Sequence, residues 1–194
     1  MNDAAMSYES ELEEAIERTQ AWGLECPHFP MNERRYLTPQ FIDGLLATTQ
    51  RATGHLEPEA IAGQCFAVHH FLKDAIERDL GVPLLYTIGF VSYESGPVFH
   101  TEVAQLKAML DQGPPPSGPL SLHAWLTMPS HEILDLTYGT TYGVATGIEK
   151  FIGTAIFLHP RDLKGGQRYH PQLVGTDYFH RIGAIAEVEG IVFG

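Results

Sequence analysis

Cys65 lies near the start of a stretch, Gly63 to Ile76, whose apolar residues recur with helical spacing, so we predict a largely buried helix there. A cysteine in the first turn of a helix lies among unpaired backbone N–H groups, at the positive end of the helix dipole. That environment favours the thiolate, which is the form that attacks carbonyl carbons. Cys65 is therefore a candidate nucleophile; the alternative is a small apolar residue of the core.

A histidine and an aspartate follow on two short apolar segments, 120–128 and 132–138, which a turn at 129–130 joins into a predicted β-hairpin. His123 lies on the first segment and Asp135 on the second, so we expect their side chains to meet across neighbouring strands. A carboxylate in an apolar strand needs a partner, and His123 is the nearest good one. Such a pair could take the proton of a thiol and orient the imidazole; a structural His–Asp pair is the alternative.

Three short motifs in this order resemble the core of the transglutaminase-like superfamily: Gly63-Gln64-Cys65-Phe66, His123-Ala124-Trp125 and Asp135-Leu136-Thr137. The resemblance covers roughly residues 63–138. It implies a papain-like fold, in which the cysteine opens a helix and the histidine and aspartate lie on adjacent strands. It also implies a catalytic triad of Cys65, His123 and Asp135, a thioester intermediate and no required cofactor.

The oxyanion that forms when a thiolate attacks a carbonyl needs a second donor beside the backbone N–H of the nucleophile. Candidate donors in the sequence are Gln64, Trp22, Tyr36 and Gln50. Gln64 is the nearest in sequence, and its alternative role is packing or capping at the helix start. Trp125 is expected to pack over the histidine or to line the substrate site, and burial in the core is the alternative.

The rest of the chain predicts an α+β architecture, with N-terminal helices and the nucleophile helix packed on a mainly antiparallel sheet. Two helices are expected before Cys65, from Tyr8 to Trp22 and from Pro39 to Gly54. Later segments are predicted as a strand at 83–93, a helix or strand at 98–111, a loop at 112–119, a strand at 154–158 and an apolar segment at 182–193. Tyr138, Tyr142 and the glycines at 139, 143 and 147 are expected either in a substrate cleft or in a surface loop.

We therefore expect one domain over residues 1–194. It divides into a helical part at 1–60, a catalytic core at 63–138 and C-terminal strands and loops at 139–194. The predicted function is a cysteine hydrolase, an amidase, peptidase or deamidase, that acts on a protein or peptide. The alternatives are an amine-transferring transglutaminase and an inactive binding module of the same fold.

Charge and composition limit the partners. The chain carries 24 acidic and 12 basic residues, a formal charge of −12, which repels nucleic acids and anionic membranes. No apolar run approaches the roughly 20 residues that span a bilayer. The N-terminus lacks the basic and apolar regions of a signal peptide, so we expect a cytoplasmic protein or one exported without a leader, such as an effector or toxin.

The metal-binding residues do not form a known pattern. His69 and His70 are adjacent, but adjacent residues on a helix point about 100° apart, so they cannot easily face one ion. The motifs Cys-x-x-Cys and His-Glu-x-x-His do not occur in the chain. We expect no metal site, and we expect Cys26 and Cys65 to be free thiols.

Overall fold

The computed structural model describes residues 6–54, 57–113 and 120–184. The helices are α1 (Tyr8–Ala21), α2 (Pro39–Thr53), α3 (Pro58–Ile61), α4 (Cys65–Leu80), α5 (Val103–Gln112), α6 (Tyr138–Thr146) and α7 (Asp177–Arg181). The strands are β1 (Leu85–Tyr93), β2 (Gly96–Val98), β3 (His123–Thr127), β4 (Ile133–Asp135), β5 (Ile156–Leu158) and β6 (Arg168–Val174). Most of the loop predicted at 112–119 and of the apolar segment predicted at 182–193 lies outside the described residues.

The six strands form one antiparallel sheet, which confirms the α+β class. Its order is β2-β1-β3-β4-β5, and β6 pairs with β1. The predicted hairpin is present as β3 and β4, with Leu126 opposite Leu134 and Thr127 opposite Ile133. No helix in the described ranges has the length and apolar character needed to cross a membrane.

Buried residues alternate between the two faces of the sheet, as the pleat requires. On one face, Tyr86, Ile88, Ala124 and Leu126 pack with Leu72 and Ile76 of α4. On the other face, Leu85, Val91 and Trp125 pack with Tyr8, Leu12 and Ala15 of α1. The sheet therefore separates two apolar cores, and α4, the helix that begins at Cys65, covers the first of them, as predicted.

Local signals in the sequence explain where the early helices begin and end. The Ser7 side chain caps α1, and the Thr38 side chain caps α2 directly before Pro39. Gly81 ends α4 in the left-handed conformation, with φ of 66°. These bounds confirm the helices predicted for the first 81 residues.

Three elements were not predicted, namely α6, β6 and α7. The α6 sequence, Tyr-Gly-Thr-Thr-Tyr-Gly-Val-Ala-Thr, has low helix propensity, but its glycines allow close packing on residues 148–154. The segment predicted as helix or strand at 98–111 is mainly helix, since α5 begins at Val103 and β2 contributes only its last residue, Val98.

Hydrogen bonds attach α1 to the edge strand β6. The Arg18 guanidinium donates to the Gln172 carbonyl oxygen at 2.8 Å, and the Val174 N–H donates to Thr19 Oγ1 at 3.0 Å. His170 makes two further hydrogen bonds: its Nδ1–H donates to Glu11 at 2.9 Å, and its Nε2 accepts from Ser92 at 2.7 Å. These contacts hold α1 beside the sheet.

Candidate active site

Cys65 is the first residue of α4, as predicted. The residue before it, Gln64, occupies the N-cap position but makes no side-chain capping bond, so the first N–H groups of the helix stay free for another acceptor. Cys65 is 5% exposed, whereas His123 and Asp135 are 1% and 0% exposed. The cysteine therefore lies at the least enclosed end of the group.

His123 and Asp135 meet at the ends of their strands. His123 Nε2 donates to Asp135 Oδ2 at 2.5 Å. The register of β3 and β4 makes the two residues diagonal neighbours, since it places Trp125 rather than His123 opposite Asp135. The predicted cross-strand pairing is thus confirmed, with an offset of two residues.

Asp135 is surrounded by donors. Besides His123, Oδ2 accepts a hydrogen bond from the Tyr169 hydroxyl at 2.7 Å. Oδ1 accepts from the backbone N–H groups of Thr137 at 3.0 Å and Tyr138 at 2.9 Å, and from the Thr137 hydroxyl at 3.3 Å. Burial alone would raise the pKa of Asp135, but the charge and hydrogen bond of His123 and the backbone N–H of Thr137 lower it. Asp135 is therefore a carboxylate.

The electrostatics of the pair favour a protonated His123. Burial lowers the pKa of His123, but the charge and hydrogen bond of Asp135 outweigh it, and the adjacent Cys65 side chain adds to the rise, which brings the pKa to about 10. Because Asp135 occupies Nε2, Nδ1 is the ring nitrogen left to interact with Cys65. The side chains of Cys65 and Asp135 thus both act on the His123 ring, and the hydrogen bond of the group is the one between His123 and Asp135.

Aromatic rings enclose His123. Trp125 is nearly parallel to its ring at 5.9 Å between centroids, and Tyr138 meets it edge-on at 5.3 Å. Tyr169 lies at 6.3 Å and Phe99 at 6.0 Å. Phe99 has a φ of 57°, which is uncommon for a residue with a side chain and carries a local backbone strain. These rings keep water away from the His123–Asp135 pair and so strengthen its attraction.

His69 is a second buried histidine at the site, and it bridges α4 to the end of β4. Its Nδ1 lies 2.9 Å from the Cys65 carbonyl oxygen, and its Nε2 accepts the Leu136 N–H at 3.0 Å. Nε2 is also 3.7 Å from Asp135 Oδ1. Burial lowers the pKa of His69 to about 4, against the opposing charge of Asp135, so the ring is neutral.

The candidate oxyanion donors lie in different surroundings. Gln64 is exposed beside Cys65, so its amide is free to reach a carbonyl oxygen bound at the thiol. The indole N–H of Trp125 instead donates to the Tyr8 hydroxyl at 2.9 Å, inside the core. Trp125 therefore packs along His123, and its N–H is not directed at the thiol. The Tyr36 hydroxyl pairs with Asn32, and Trp22 packs against the core on the α4 side of the sheet.

Sequence reasoning missed Tyr169 and His69 as site residues. His69 had a signal, because a residue four positions after Cys65 lies one helical turn behind it on the same face. Tyr169 had none, since it reaches Asp135 from β6, a strand that was not predicted. The glycines at 139 and 143 support packing of α6, and Tyr138 contributes its backbone and ring to the site.

Within the described ranges, the side chains of histidine, cysteine, aspartate and glutamate form no cluster of three or more that could hold a metal ion. Both cysteines are free thiols. No protein-family model, no curated protein and no solved structure matches the chain. The functional conclusion therefore depends on the chemistry of the Cys65, His123 and Asp135 group.

Proposed function

We propose that the protein is a cysteine-dependent acyl-transfer enzyme that hydrolyses an amide of a protein or peptide, at the main chain or at a glutamine side chain. The observation that carries the proposal is the grouping of Cys65, His123 and Asp135, in which the cysteine and the carboxylate both act on the imidazole. Asp135 accepts the hydrogen bond from Nε2–H, so Nδ1 of the same ring is left for the thiol. Nucleophilic catalysis by a cysteine requires this arrangement, in which the base lies between the nucleophile and the acid that orients the base.

The proposed reaction has two steps. The Cys65 thiolate attacks the amide carbonyl carbon, and the C–N bond breaks as protonated His123 gives its proton to the leaving amine or ammonia. Water then attacks the thioester carbonyl while His123 accepts one of its protons. The C–S bond breaks, which releases a carboxylic acid and restores the thiolate. Asp135 keeps its charge throughout and stabilises the imidazolium.

We propose the exposed Gln64 amide, with the Cys65 backbone N–H, as the pair of donors for the oxyanion. Within the α+β class, we propose that the fold has a papain-like core. Its support is that the nucleophile helix packs on an antiparallel sheet whose strands carry the histidine and the acid.

The nucleophile is tested by labelling with iodoacetamide and locating the adduct by mass spectrometry. We expect Cys65 to react in the wild type at neutral pH and below, where an ordinary thiol is slow. Cys26 provides the matched control, because it is the other free thiol and burial raises its pKa. Cys65→Ala should abolish the fast labelling, and Cys26→Ala should retain it. Equal labelling of the wild type and Cys65→Ala would contradict the proposal.

The acyl acceptor is tested with a glutamine-rich protein substrate in the presence of a fluorescent primary amine. Release of ammonia without incorporation of the amine is the expected hydrolytic result. Covalent incorporation of the amine would identify a transglutaminase instead. Retention of a biological activity by the Cys65, His123 and Asp135 single variants would identify a binding module of the same fold.

A further inference from the structure

His69 is a fully buried ionisable group that the proposed reaction does not use. Both of its ring nitrogens have partners, and the partners fix the tautomer. The Leu136 N–H is a donor, so Nε2 must be the unprotonated acceptor. The Cys65 carbonyl oxygen is an acceptor, so Nδ1 must carry the hydrogen. His69 is therefore a neutral imidazole with one defined orientation.

The two hydrogen bonds of His69 connect the start of α4, where Cys65 lies, to the end of β4, where Asp135 lies. His123 lies between the same two residues. One ends on the residue that carries the nucleophile, and the other on the residue directly after Asp135. Cys65 and Asp135 are thus linked in two ways, through His69 and through His123, on which both of their side chains act, and the two links close a ring across α4, β3 and β4. A closed ring restrains the distance between thiol and acid more tightly than an open chain of three side chains, since either side of the ring opposes a displacement.

A neutral state is necessary for this arrangement. The ionisable side chains that act on His69 are Asp135, with Oδ1 at 3.7 Å, and His123. A protonated His69 would lose the bond from Leu136 and would place a second cation beside Asp135, in competition with His123. Neutral His69 avoids both effects, and it leaves the full charge of Asp135 to His123.

We infer that His69 is a positioning residue, a neutral bridge that holds the Cys65 carbonyl and the Leu136 amide and thereby sets the nucleophile against the His123–Asp135 pair. The inference rests on the proposed function, because it assigns His69 a role within that triad.

Two substitutions separate the two hydrogen bonds. His69→Asn places an amide N–H near the position of Nδ1 and keeps the donor to Cys65. His69→Gln places an amide oxygen near the position of Nε2 and keeps the acceptor for Leu136. His69→Ala removes both. The measurement is the pH profile of Cys65 alkylation by iodoacetamide, recorded beside thermal unfolding for each variant.

We expect His69→Asn and His69→Gln each to slow alkylation at neutral pH by about tenfold and to move its midpoint to higher pH, and His69→Ala to do so more strongly. An alkylation profile that superimposes on that of the wild type in all three variants, with only the unfolding temperature lowered, would overturn the positioning role. Selective alkylation of wild-type Cys65 without any turnover of an amide would instead overturn the proposed function alone.

If the His69 variants do not fold, a measurement on the wild type tests the bridge without them. Imidazole nitrogen chemical shifts from NMR should identify His69 as the Nδ1–H tautomer and show no protonation from pH 8 down to pH 5. An Nε2–H tautomer, or titration near the ordinary value of about 6.5, would contradict the bridge.

Discussion

Asp135 can carry a negative charge in the interior because each of its oxygens has donors. Tyr169 and His123 donate to one oxygen, and Thr137 and Tyr138 donate to the other. A buried carboxylate without these donors would strongly destabilise the folded state. The charge then holds His123 in the protonated state, so the acid acts at Cys65 through the histidine.

The Tyr169 hydroxyl is a donor to Asp135 that can be removed with little change of shape. Tyr169→Phe deletes a hydrogen bond to a charged group, worth about 1.5–3 kcal/mol. It raises the pKa of Asp135 and loosens the orientation of its carboxylate, so we expect amide hydrolysis to fall by about tenfold or more. Rates measured between pH 4 and pH 8 test this loss.

Tyr178→Phe is the matched control, because the Tyr178 hydroxyl donates to the Leu106 carbonyl oxygen at 3.0 Å, in the core on the α4 side. It should lower stability and leave the rate and the pH profile unchanged. Equal loss of rate in the two variants would mean that Tyr169 acts on the fold alone.

At the scale of the elements, α6 forms part of the site through its first turn. Tyr138, its first residue, and Thr137 before it donate backbone N–H groups to Asp135. The position of α6 depends on Gly139, where an added Cβ would lie 2.7 Å from the Thr154 carbonyl oxygen and 2.9 Å from that of Phe151. A helix of low propensity is thus held in place by close backbone packing.

Gly139→Ala should therefore disturb both stability and the site. We expect a loss of about 1–3 kcal/mol in the free energy of unfolding, from overpacking against a backbone that cannot easily move. Displacement of α6 should also slow the alkylation of Cys65. Urea unfolding and iodoacetamide labelling measure the two effects. Val144→Ala is the control on the same helix, since Val144 is half exposed, and we expect it to change stability by less than about 0.5 kcal/mol.

The elements that the sequence predicted are those with local signals. Caps, periodic apolar residues and a final glycine define α1, α2 and α4, and a proline turn between apolar segments defines the β3–β4 hairpin. The same signals located Cys65, His123 and Asp135. The strand β6 contains Pro171 and a register shift against β1, so its pattern does not alternate simply. Tyr169 and the contacts of α6 depend on pairings between residues distant in the sequence, which no local pattern encodes.

At the scale of the whole molecule, the site lies where the two cores meet. Helix α4, which covers the first core, supplies Cys65 and His69, and the core on the opposite face supplies Trp125, Tyr138 and Tyr169 around His123. Folding of both cores is thus required before the four ionisable groups of the site come together. The stability of the protein must consequently depend on their protonation.

Two histidines should give the free energy of unfolding a maximum near pH 6.5. His69 has a lowered pKa of about 4, so the unfolded chain binds its proton first, and stability falls as the pH drops from 6.5 to 4. His123 has a raised pKa, so its contribution is complete below 6.5 and is lost as the pH rises toward 10. Each slope reaches at most about 1.4 kcal/mol per pH unit.

Urea unfolding of the wild type and of His69→Gln between pH 4 and pH 9 tests this account. The variant should have a shallower acid limb and an unchanged alkaline limb. Parallel curves over the whole range would show that His69 does not change its protonation on unfolding.

The near-complete cover over Cys65 has a kinetic consequence. Because Cys65 is only 5% exposed, we expect a reagent or substrate to reach the sulfur after neighbouring groups move. Reaction then has an opening step followed by chemistry, and the observed rate stops rising with concentration once opening is the slower step. Between openings the thiol is shielded from dissolved peroxide, which oxidises accessible thiolates fastest. The cover that delays a substrate therefore also preserves the sulfur in its reduced form.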